Sequence, residues 1–202
     1  MRVGVLASGA GTNLQAILDV VHGRDGVEVV AVGSDKPDAF ALERARQSGV
    51  ASRAFPRAGH ADRAARDAAM AAWLAENGVE LVVLAGYMQL VTPGFLAAFP
   101  ERVINVHPAL LPAFPGIHAI QQGLDYGVKV FGVTIHFVDE GVDSGPIIFQ
   151  RGVCLPRATT EREVHDALRQ HEHELLCEAI RRIAAGAVRR DPAHPRRILI
   201  DR

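Results

Sequence analysis

An amide and an imidazole stand two residues apart in the segment 103–116, as Asn105 and His107. Valine and isoleucine surround them and indicate the end of a buried strand, where residues i and i+2 share a face. Prolines at 108, 112 and 115 predict a stiff loop after the strand. An amide can bind a developing oxyanion and an imidazole can carry a proton, as an acyl-type transfer requires. The alternative is structural, with Asn105 capping a turn and His107 packing in the core.

A glycine-rich loop, Ser8-Gly9-Ala10-Gly11-Thr12-Asn13, follows the first apolar run of the chain. Apolar residues then recur at helical spacing from Leu14 to Val21, which predicts a strand, a loop and a helix in that order. Glycines allow close backbone approach, and the first amides of a helix attract phosphate. No Gly-Lys-Ser/Thr follows, and Leu14 stands where a third glycine would complete a dinucleotide fingerprint. The loop therefore indicates a monophosphate site, or else a glycine-rich turn that binds nothing.

Length and composition limit the class of protein. The chain has 202 residues, 49% hydrophobic and 22% charged, with a formal net charge of -1. These values predict a globular protein with a full core, and give no electrostatic case for a nucleic-acid or membrane partner. Cys154 and Cys177 are predicted to be buried, reduced thiols in a cytoplasmic protein. No apolar run approaches the ~20 residues of a membrane span, and the N-terminus lacks a signal-peptide pattern.

Strand and helix patterns alternate along the first half of the chain. They predict an α/β, Rossmann-like, doubly wound fold, with a mostly parallel twisted sheet of about seven strands and helices on both faces. A brief connection before segment 128–138 predicts that the sheet becomes mixed there. In such sheets ligands bind outside the carboxyl ends of the strands. The glycine loop, the segment around Met88, Asn105 with His107, and the loop 139–143 are therefore predicted to converge on one edge.

Two charged residues stand where helix chemistry disfavours them. Arg63 lies in the first turn of an alanine-rich helix predicted over 62–77, where the helix dipole favours an anion. It either faces a bound anion or is an ordinary solvated arginine. Glu172 lies four residues from both Leu168 and Leu176, inside the apolar stripe of a long helix. A carboxylate there must be paired or ligand-bound, unless a tilt of the helix leaves it at the solvent edge.

Four segments resemble the signatures of the phosphoribosylglycinamide formyltransferase family. They are SGAGTNL from Ser8, LAGYM from Leu84, NVHPALLP from Asn105 and DSGP from Asp143. The resemblance runs from residue 1 to roughly 185, in the family's order and spacing. Asn-x-His-Pro is shared by all folate-dependent formyltransferases and identifies the superfamily, whereas the N-terminal loop points to glycinamide ribonucleotide. The family transfers the formyl group of 10-formyltetrahydrofolate to the glycinamide amine in de novo purine synthesis.

The resemblance implies roles for individual residues. Asn105, His107 and Asp143 correspond to the family's catalytic residues: Asn105 and a protonated His107 stabilise the oxyanion, and Asp143 holds His107 and favours its charged form. The residues implied in binding glycinamide ribonucleotide are Gly11, Thr12, Asn13, Arg63 and Glu172. The residues implied in binding the folate are Met88, Gln89, Leu90, Val91, Asn105, Asp139, Glu140, Gly141, Val142 and Asp143.

Three residues depart from the family's pattern. Gln89 stands where several relatives carry arginine, Ala113 replaces a common lysine, and Phe131 replaces a histidine before Gly132. None belongs to the catalytic trio. The departures therefore concern folate affinity rather than the reaction.

The resemblance also implies an organisation and a set of partners. We expect one formyltransferase domain over 1–202, with a phosphate-binding half over 1–100, a catalytic and folate-binding half over 101–185, and a tail over 186–202. In the tail, 197–200 is predicted to form an edge strand or the whole tail is loose. The expected partners are the small molecules glycinamide ribonucleotide and 10-formyltetrahydrofolate, the latter as cosubstrate, with no metal. The protein is expected to be a monomer or a homodimer.

Other functions compete with this one. A formyltetrahydrofolate hydrolase or a methionyl-tRNA formyltransferase keeps the same trio, but is expected to carry a further N-terminal or C-terminal domain, respectively. A non-catalytic nucleotide-binding module explains the glycine loop, but not Asn105, His107, Asp143 and Glu172 together. An NAD enzyme lacks support because the third glycine of the fingerprint is missing.

Overall fold

The computed structural model describes residues 1–201. Its strands are β1 (Arg2–Leu6), β2 (Glu28–Ser34), β3 (Ala51–Ala54), β4 (Leu81–Leu84), β5 (Val103–His107), β6 (Val130–Phe137), β7 (Ile147–Cys154), β8 (Val188–Arg190) and β9 (Ile198–Ile200). Its α-helices are α1 (Thr12–Val20), α2 (Phe40–Gln47), α3 (Arg63–Glu76), α4 (Pro93–Ala98), α5 (Ala119–Tyr126) and α6 (Glu161–Ala184). Seven strands form a sheet in the order β3-β2-β1-β4-β5-β6-β7, which confirms the predicted fold class.

The chain divides into two compact units, Met1–Asn105 and the residues from Val106 on. They are described separately below. The predicted organisation as one domain, with halves meeting at 100/101, stays a prediction.

The first unit is built on parallel strands. In β1, Val5 lies between Val32 of β2 and Val83 of β4, and both neighbours run parallel to β1. Every residue of β4 is buried, as expected of a central parallel strand covered on both faces. The carboxyl ends of β1 and β4 therefore lie side by side. The loops that follow them start together, and the N–H of Ser8 donates to the carbonyl of Gly86 at 3.1 Å.

The second unit packs a long helix on an antiparallel pair. Strand β6 runs antiparallel to β7, with Thr134 opposite Gln150, so the predicted change to a mixed sheet is confirmed. Helix α6 packs against both strands. It begins at a capping box in which the Thr160 hydroxyl accepts from the Glu163 N–H and the Glu163 carboxylate accepts from the Thr160 N–H.

The strand predicted over 197–200 is present as β9, in a separate antiparallel hairpin with β8 in which Val188 lies opposite Ile200. The prediction that Cys154 is buried is wrong. Cys154, the last residue of β7, is exposed, because exposed positions alternate with half-buried ones along the second half of that strand. Cys177 is buried as predicted, and neither cysteine forms a disulfide. Among the described residues, no helix is long and apolar enough to cross a membrane.

Candidate active site

In the second unit, the carboxylate of Asp143 lies between two imidazoles. The Nδ1 of His107, at the end of β5, is 3.4 Å from Oδ2 of Asp143. The Nε2 of His136, on β6, is 3.5 Å from Oδ1. The backbone N–H of Gly116 also donates to Oδ2, at 2.7 Å. Three groups from three separate segments therefore fix this carboxylate.

The loop 139–145 brings Asp143 to this position. The Oδ1 of Asp139 accepts hydrogen bonds from the Ser144 hydroxyl at 2.6 Å and from the Gly141 N–H at 3.2 Å. These bonds within the loop stabilise its conformation. A Cβ at position 145 would lie 1.8 Å from the carbonyl oxygen of Phe137, so only glycine fits there. The loop closes tightly on the end of β6, and Asp143 itself has a φ of 49°, in the left-handed region.

His107 is held by the proline-rich loop that follows it. Its Nε2 lies 2.8 Å from the carbonyl oxygen of Phe114. The loop is fixed in turn by the buried Thr134, whose hydroxyl donates to the Ala109 carbonyl at 2.7 Å and accepts from the Leu111 N–H at 3.2 Å. Both ring nitrogens of His107 therefore face oxygen atoms. Only a doubly protonated ring donates to both of them.

Burial and charge act against each other on His107. Burial, the largest influence, lowers the pKa of this imidazole, whereas the Asp143 carboxylate, the Phe114 carbonyl and Glu172 raise it. The net pKa lies below its usual value. Asp143 thus favours the charged form of His107, as the family resemblance implies, but its effect on the pKa does not outweigh that of burial.

Asp143 shows the opposite balance. Burial raises the pKa of this carboxyl, but the hydrogen bonds from His136 and the Gly116 N–H, with the charges of His107 and His136, outweigh it and lower the pKa to about 2. Asp143 is therefore a carboxylate throughout the neutral range.

Glu172 lies on the buried face of α6 and is 7% exposed. The alternative that a tilt leaves it at the solvent edge is therefore wrong. Its charge raises the pKa of His107, so the two residues act on each other electrostatically. A buried carboxylate in an apolar stripe is costly unless it interacts with polar or charged groups.

In the first unit, the glycine loop presents the start of α1. Gly11 is the N-cap, with a φ of 69°, and a Cβ there would lie 2.8 Å from Cβ of Ala41. Glycine is therefore required at this position. Thr12 and Asn13 are the first two residues of the helix. Because backbone N–H groups in a first helical turn have no acceptor within the helix, they are suited to an anion.

The segment Met88–Val91 follows β4 and is neither helix nor strand. The N–H of Met88 donates to the hydroxyl of Ser8 at 2.8 Å, and this hydroxyl donates to Asp35 at 2.5 Å. Ser8 thus connects the glycine loop to the segment. Met88 is 60% exposed and Leu90 56%, so the segment presents an apolar surface.

Two further predicted site residues lie in the first unit. Arg63 is the first residue of α3, and its side chain is exposed. Asn105 is half-buried in β5, beside Leu84 of β4 and two residues before His107 on the same strand.

Sequence reasoning missed His136 and Ser8. The alternation of Thr134 and His136 on one face of β6 is visible in the sequence, but nothing there places His136 against Asp143. Ser8 belongs to the recognised loop, yet its hydroxyl bonds to residues 27 and 80 positions away. Contacts of this kind appear only when the strands are assembled.

Comparisons with known proteins show the family of the chain. The Formyl transferase family profile matches residues 1–180. Phosphoribosylglycinamide formyltransferase from Mycobacterium tuberculosis is 42% identical over 187 residues, which cover 93% of this chain and 86% of that protein. The enzyme of the same name from Bacillus subtilis is 37% identical over 183 residues, covering 90% and 94% of the two chains.

A solved structure is also closely similar. The crystal structure of glycinamide ribonucleotide transformylase 1 from Symbiobacterium toebii superposes with a TM-score of 0.94 at 48% identity, covering 99% of this chain and 93% of that one. Both the sequence and the fold therefore agree with one family along nearly the whole chain. The chain belongs to the phosphoribosylglycinamide formyltransferase family.

Proposed function

We propose that the protein transfers the formyl group of 10-formyltetrahydrofolate to the amine of N1-(5-phosphoribosyl)glycinamide. The products are formylglycinamide ribonucleotide and tetrahydrofolate, in de novo purine synthesis. The observation that carries this proposal is the Asp143 carboxylate at 3.4 Å from His107, whose strand also carries Asn105. The similarity to named formyltransferases over nine-tenths of the chain supports it.

The reaction forms one C–N bond and breaks another. The glycinamide amine attacks the formyl carbon and produces a tetrahedral intermediate with an oxyanion. Asn105 donates to this oxyanion through its amide, and His107 stabilises it in the protonated form. The bond from the formyl carbon to the folate nitrogen then breaks, and a proton from the attacking amine reaches that nitrogen.

His107 is suited to carry this proton. Burial lowers its pKa in the free protein, which favours loss of one of the two ring protons that face Asp143 and the Phe114 carbonyl, and a ring that has lost one can accept a proton. The developing oxyanion adds a negative charge beside the ring, and a nearby negative charge raises a histidine pKa. Asp143, ionised at neutral pH, stabilises the imidazolium once it has formed. The ring can then release the proton to the leaving nitrogen.

The nucleotide is bound by its phosphate and by its glycinamide end. Gly11, Thr12 and Asn13 provide backbone N–H groups at the start of α1 for the phosphate, with Arg63 as the cation. Glu172 contacts the glycinamide end of the nucleotide. It is buried on α6 and interacts electrostatically with His107.

The folate is a cosubstrate held by two segments. The first contributes the exposed apolar side chains of Met88 and Leu90, with Gln89 and Val91, and an apolar wall suits a flat ring system. The second is the loop 139–143, from Asp139 through Glu140, Gly141 and Val142 to Asp143, together with Asn105. Both substrates are small molecules.

The decisive experiment measures formyl transfer from 10-formyltetrahydrofolate to glycinamide ribonucleotide by the wild type and by Asp143→Asn. We expect activity in the wild type and a loss of about 10²-fold or more in the variant. Asp125→Asn is the matched control, because Asp125 is exposed on α5 and accepts a local hydrogen bond from Gln121, at 2.7 Å. It should retain full activity.

Two outcomes would contradict the proposal and indicate a different function. Folate turnover without the nucleotide indicates a hydrolase. Nucleotide binding with no turnover indicates a non-catalytic nucleotide-binding module.

A further inference from the structure

Two charged side chains of α3 are buried although the proposed chemistry does not use them. Arg66 is 2% exposed and Asp67 is 0% exposed. The Nε and Nη2 atoms of Arg66 donate to Oδ1 of Asp67 at 3.1 and 2.9 Å. Charged residues are almost never buried unless they are paired, and adjacent helical residues do not normally face each other. The surrounding structure must therefore explain why this pair is buried.

Both members of the pair reach the segment Met88–Val91 or the residue after it. The Oδ2 of Asp67 accepts the backbone N–H of Thr92 at 2.8 Å. The Nη1 of Arg66 donates to the side-chain oxygen of Gln89 at 3.4 Å. The pair thus anchors the segment in its middle and just beyond its end.

The start of the segment is anchored as well, by the bond from the Met88 N–H to the Ser8 hydroxyl at 2.8 Å. Beyond its end, the Thr92 hydroxyl caps α4 by accepting the N–H of Phe95 at 3.4 Å. An exposed loop without regular structure is ordinarily among the more mobile parts of a protein. Here buried polar groups fix it at three points while Met88 and Leu90 remain exposed.

Gln89 is matched to Arg66 chemically. A glutamine carries an acceptor oxygen, whereas an arginine carries only donors. An arginine at position 89 would place a second guanidinium opposite Arg66 and remove the hydrogen bond. The side-chain oxygen of Gln89 therefore suits the guanidinium of Arg66 on α3, to which it is hydrogen-bonded.

We propose that the Arg66–Asp67 pair is a positioning device that holds Met88–Val91 in the conformation that receives the formyl donor. The pair determines affinity for the folate through the segment and takes no part in the chemical step. This inference rests on the proposed function, because it assigns the segment to the folate.

The test removes both charges together. A single substitution leaves one buried charge unpaired and risks unfolding, so the main variant is the double substitution R66M/D67N. It retains an acceptor oxygen for the Thr92 N–H but releases Gln89. We expect its KM for 10-formyltetrahydrofolate to rise about 10-fold, with kcat and the KM for the nucleotide within about 2-fold of the wild type. Glu76→Gln, an exposed charge removal on the same helix, should change neither KM.

A second substitution tests whether Gln89 acts through Arg66. Gln89→Ala is made in the wild type and in R66M/D67N. We expect it to weaken binding of 10-formyl dideazafolate, measured without the acceptor nucleotide so that no transfer occurs, in the wild type and to add nothing in the double variant. Equal additional losses in both backgrounds would overturn the pairing of these two residues.

The outcomes separate this inference from the proposed function. An inactive wild type contradicts the proposed function itself. An active, folded double variant with an unchanged KM for the folate contradicts the inference alone. If circular dichroism shows the double variant unfolded, Gln89→Ala in the wild type decides, since that residue is exposed, and an unchanged folate KM there also contradicts the inference.

Discussion

The Nδ1 of His107 and the Oδ2 of Asp143 meet at 3.4 Å, and their pKa values are both lowered, for different reasons. Burial dominates at His107. At Asp143, burial is outweighed by hydrogen bonds and neighbouring imidazoles, and the pKa falls to about 2. The charge on Asp143 is therefore constant near neutral pH, whereas the charge on His107 is free to change. In this pair, the histidine is the member that carries protons.

The first prediction concerns the pKa of His107. Because Asp143 raises this pKa against burial, Asp143→Asn should lower it further. We expect the imidazole of the wild type to titrate below its usual value of about 6.5, and that of the variant to titrate lower still. NMR titration of the His107 ring protons measures both. An unchanged or higher value in the variant contradicts the electrostatic coupling.

The second prediction concerns stability in acid. The pKa of Asp143 is about 2 in the folded protein against an ordinary value of 3.8, so its contribution is present above pH 4 and is lost as pH falls towards 2. The contribution at neutral pH is about 2 kcal/mol. Asp143→Asn should therefore lose less stability than the wild type between pH 4 and 2, as measured by urea unfolding. The control Asp125→Asn should follow the wild-type curve, and identical curves for all three proteins would argue against the prediction.

His107 acts on stability at higher pH. Its folded pKa is lowered, so the unfolded chain takes up the proton first as pH falls through about 6.5. The folded state should lose stability from that point downwards. The same unfolding series, extended to pH 8, separates this loss from that of Asp143 because the two fall in different pH windows.

The third prediction concerns Glu172. Glu172→Gln keeps the shape of the side chain but removes its charge, so the KM for glycinamide ribonucleotide should rise about 10-fold while the KM for the folate stays near the wild-type value. Steady-state kinetics with each substrate varied in turn measure the split. Glu174→Gln is the control on the same helix, since Glu174 pairs with Arg151 at the surface. Equal effects of the two variants would remove the case for a specific role.

The sequence predicts the features that depend on local pattern. The glycine loop before α1 and the position of Glu172 inside the apolar stripe of α6 follow from spacing along one element, and the structure agrees. Periodicity and capping act over a few residues, so one stretch of chain contains the information.

Features that depend on distant residues could not be predicted. Aspartate is one of the few side-chain-bearing residues that tolerate the left-handed region, but the contact of Asp143 with His136 depends on the closure of the loop. Adjacent charges such as Arg66 and Asp67 in an alanine-rich helix are typical of a solvated surface, yet both are buried here. The burial and contacts of such residues depend on how the helices and strands pack together, and local sequence patterns do not contain that information.

The last prediction compares two glycines of the glycine loop, Gly9 and Gly11. Gly11 has a φ of 69°, and a Cβ there would lie 2.8 Å from Cβ of Ala41, whereas a Cβ at Gly9 would meet nothing within 4 Å. Gly11→Ala should therefore destabilise the fold by about 1–3 kcal/mol and raise the KM for the nucleotide, because the start of α1 must shift. Gly9→Ala should leave the melting temperature near that of the wild type. Calorimetry measures the melting temperatures of the two variants, and steady-state kinetics measure the KM of each for the nucleotide. Equal melting temperatures would show that the loop tolerates a side chain at Gly11. An unchanged KM for the nucleotide in a destabilised Gly11→Ala variant would contradict the proposal that this loop binds the phosphate.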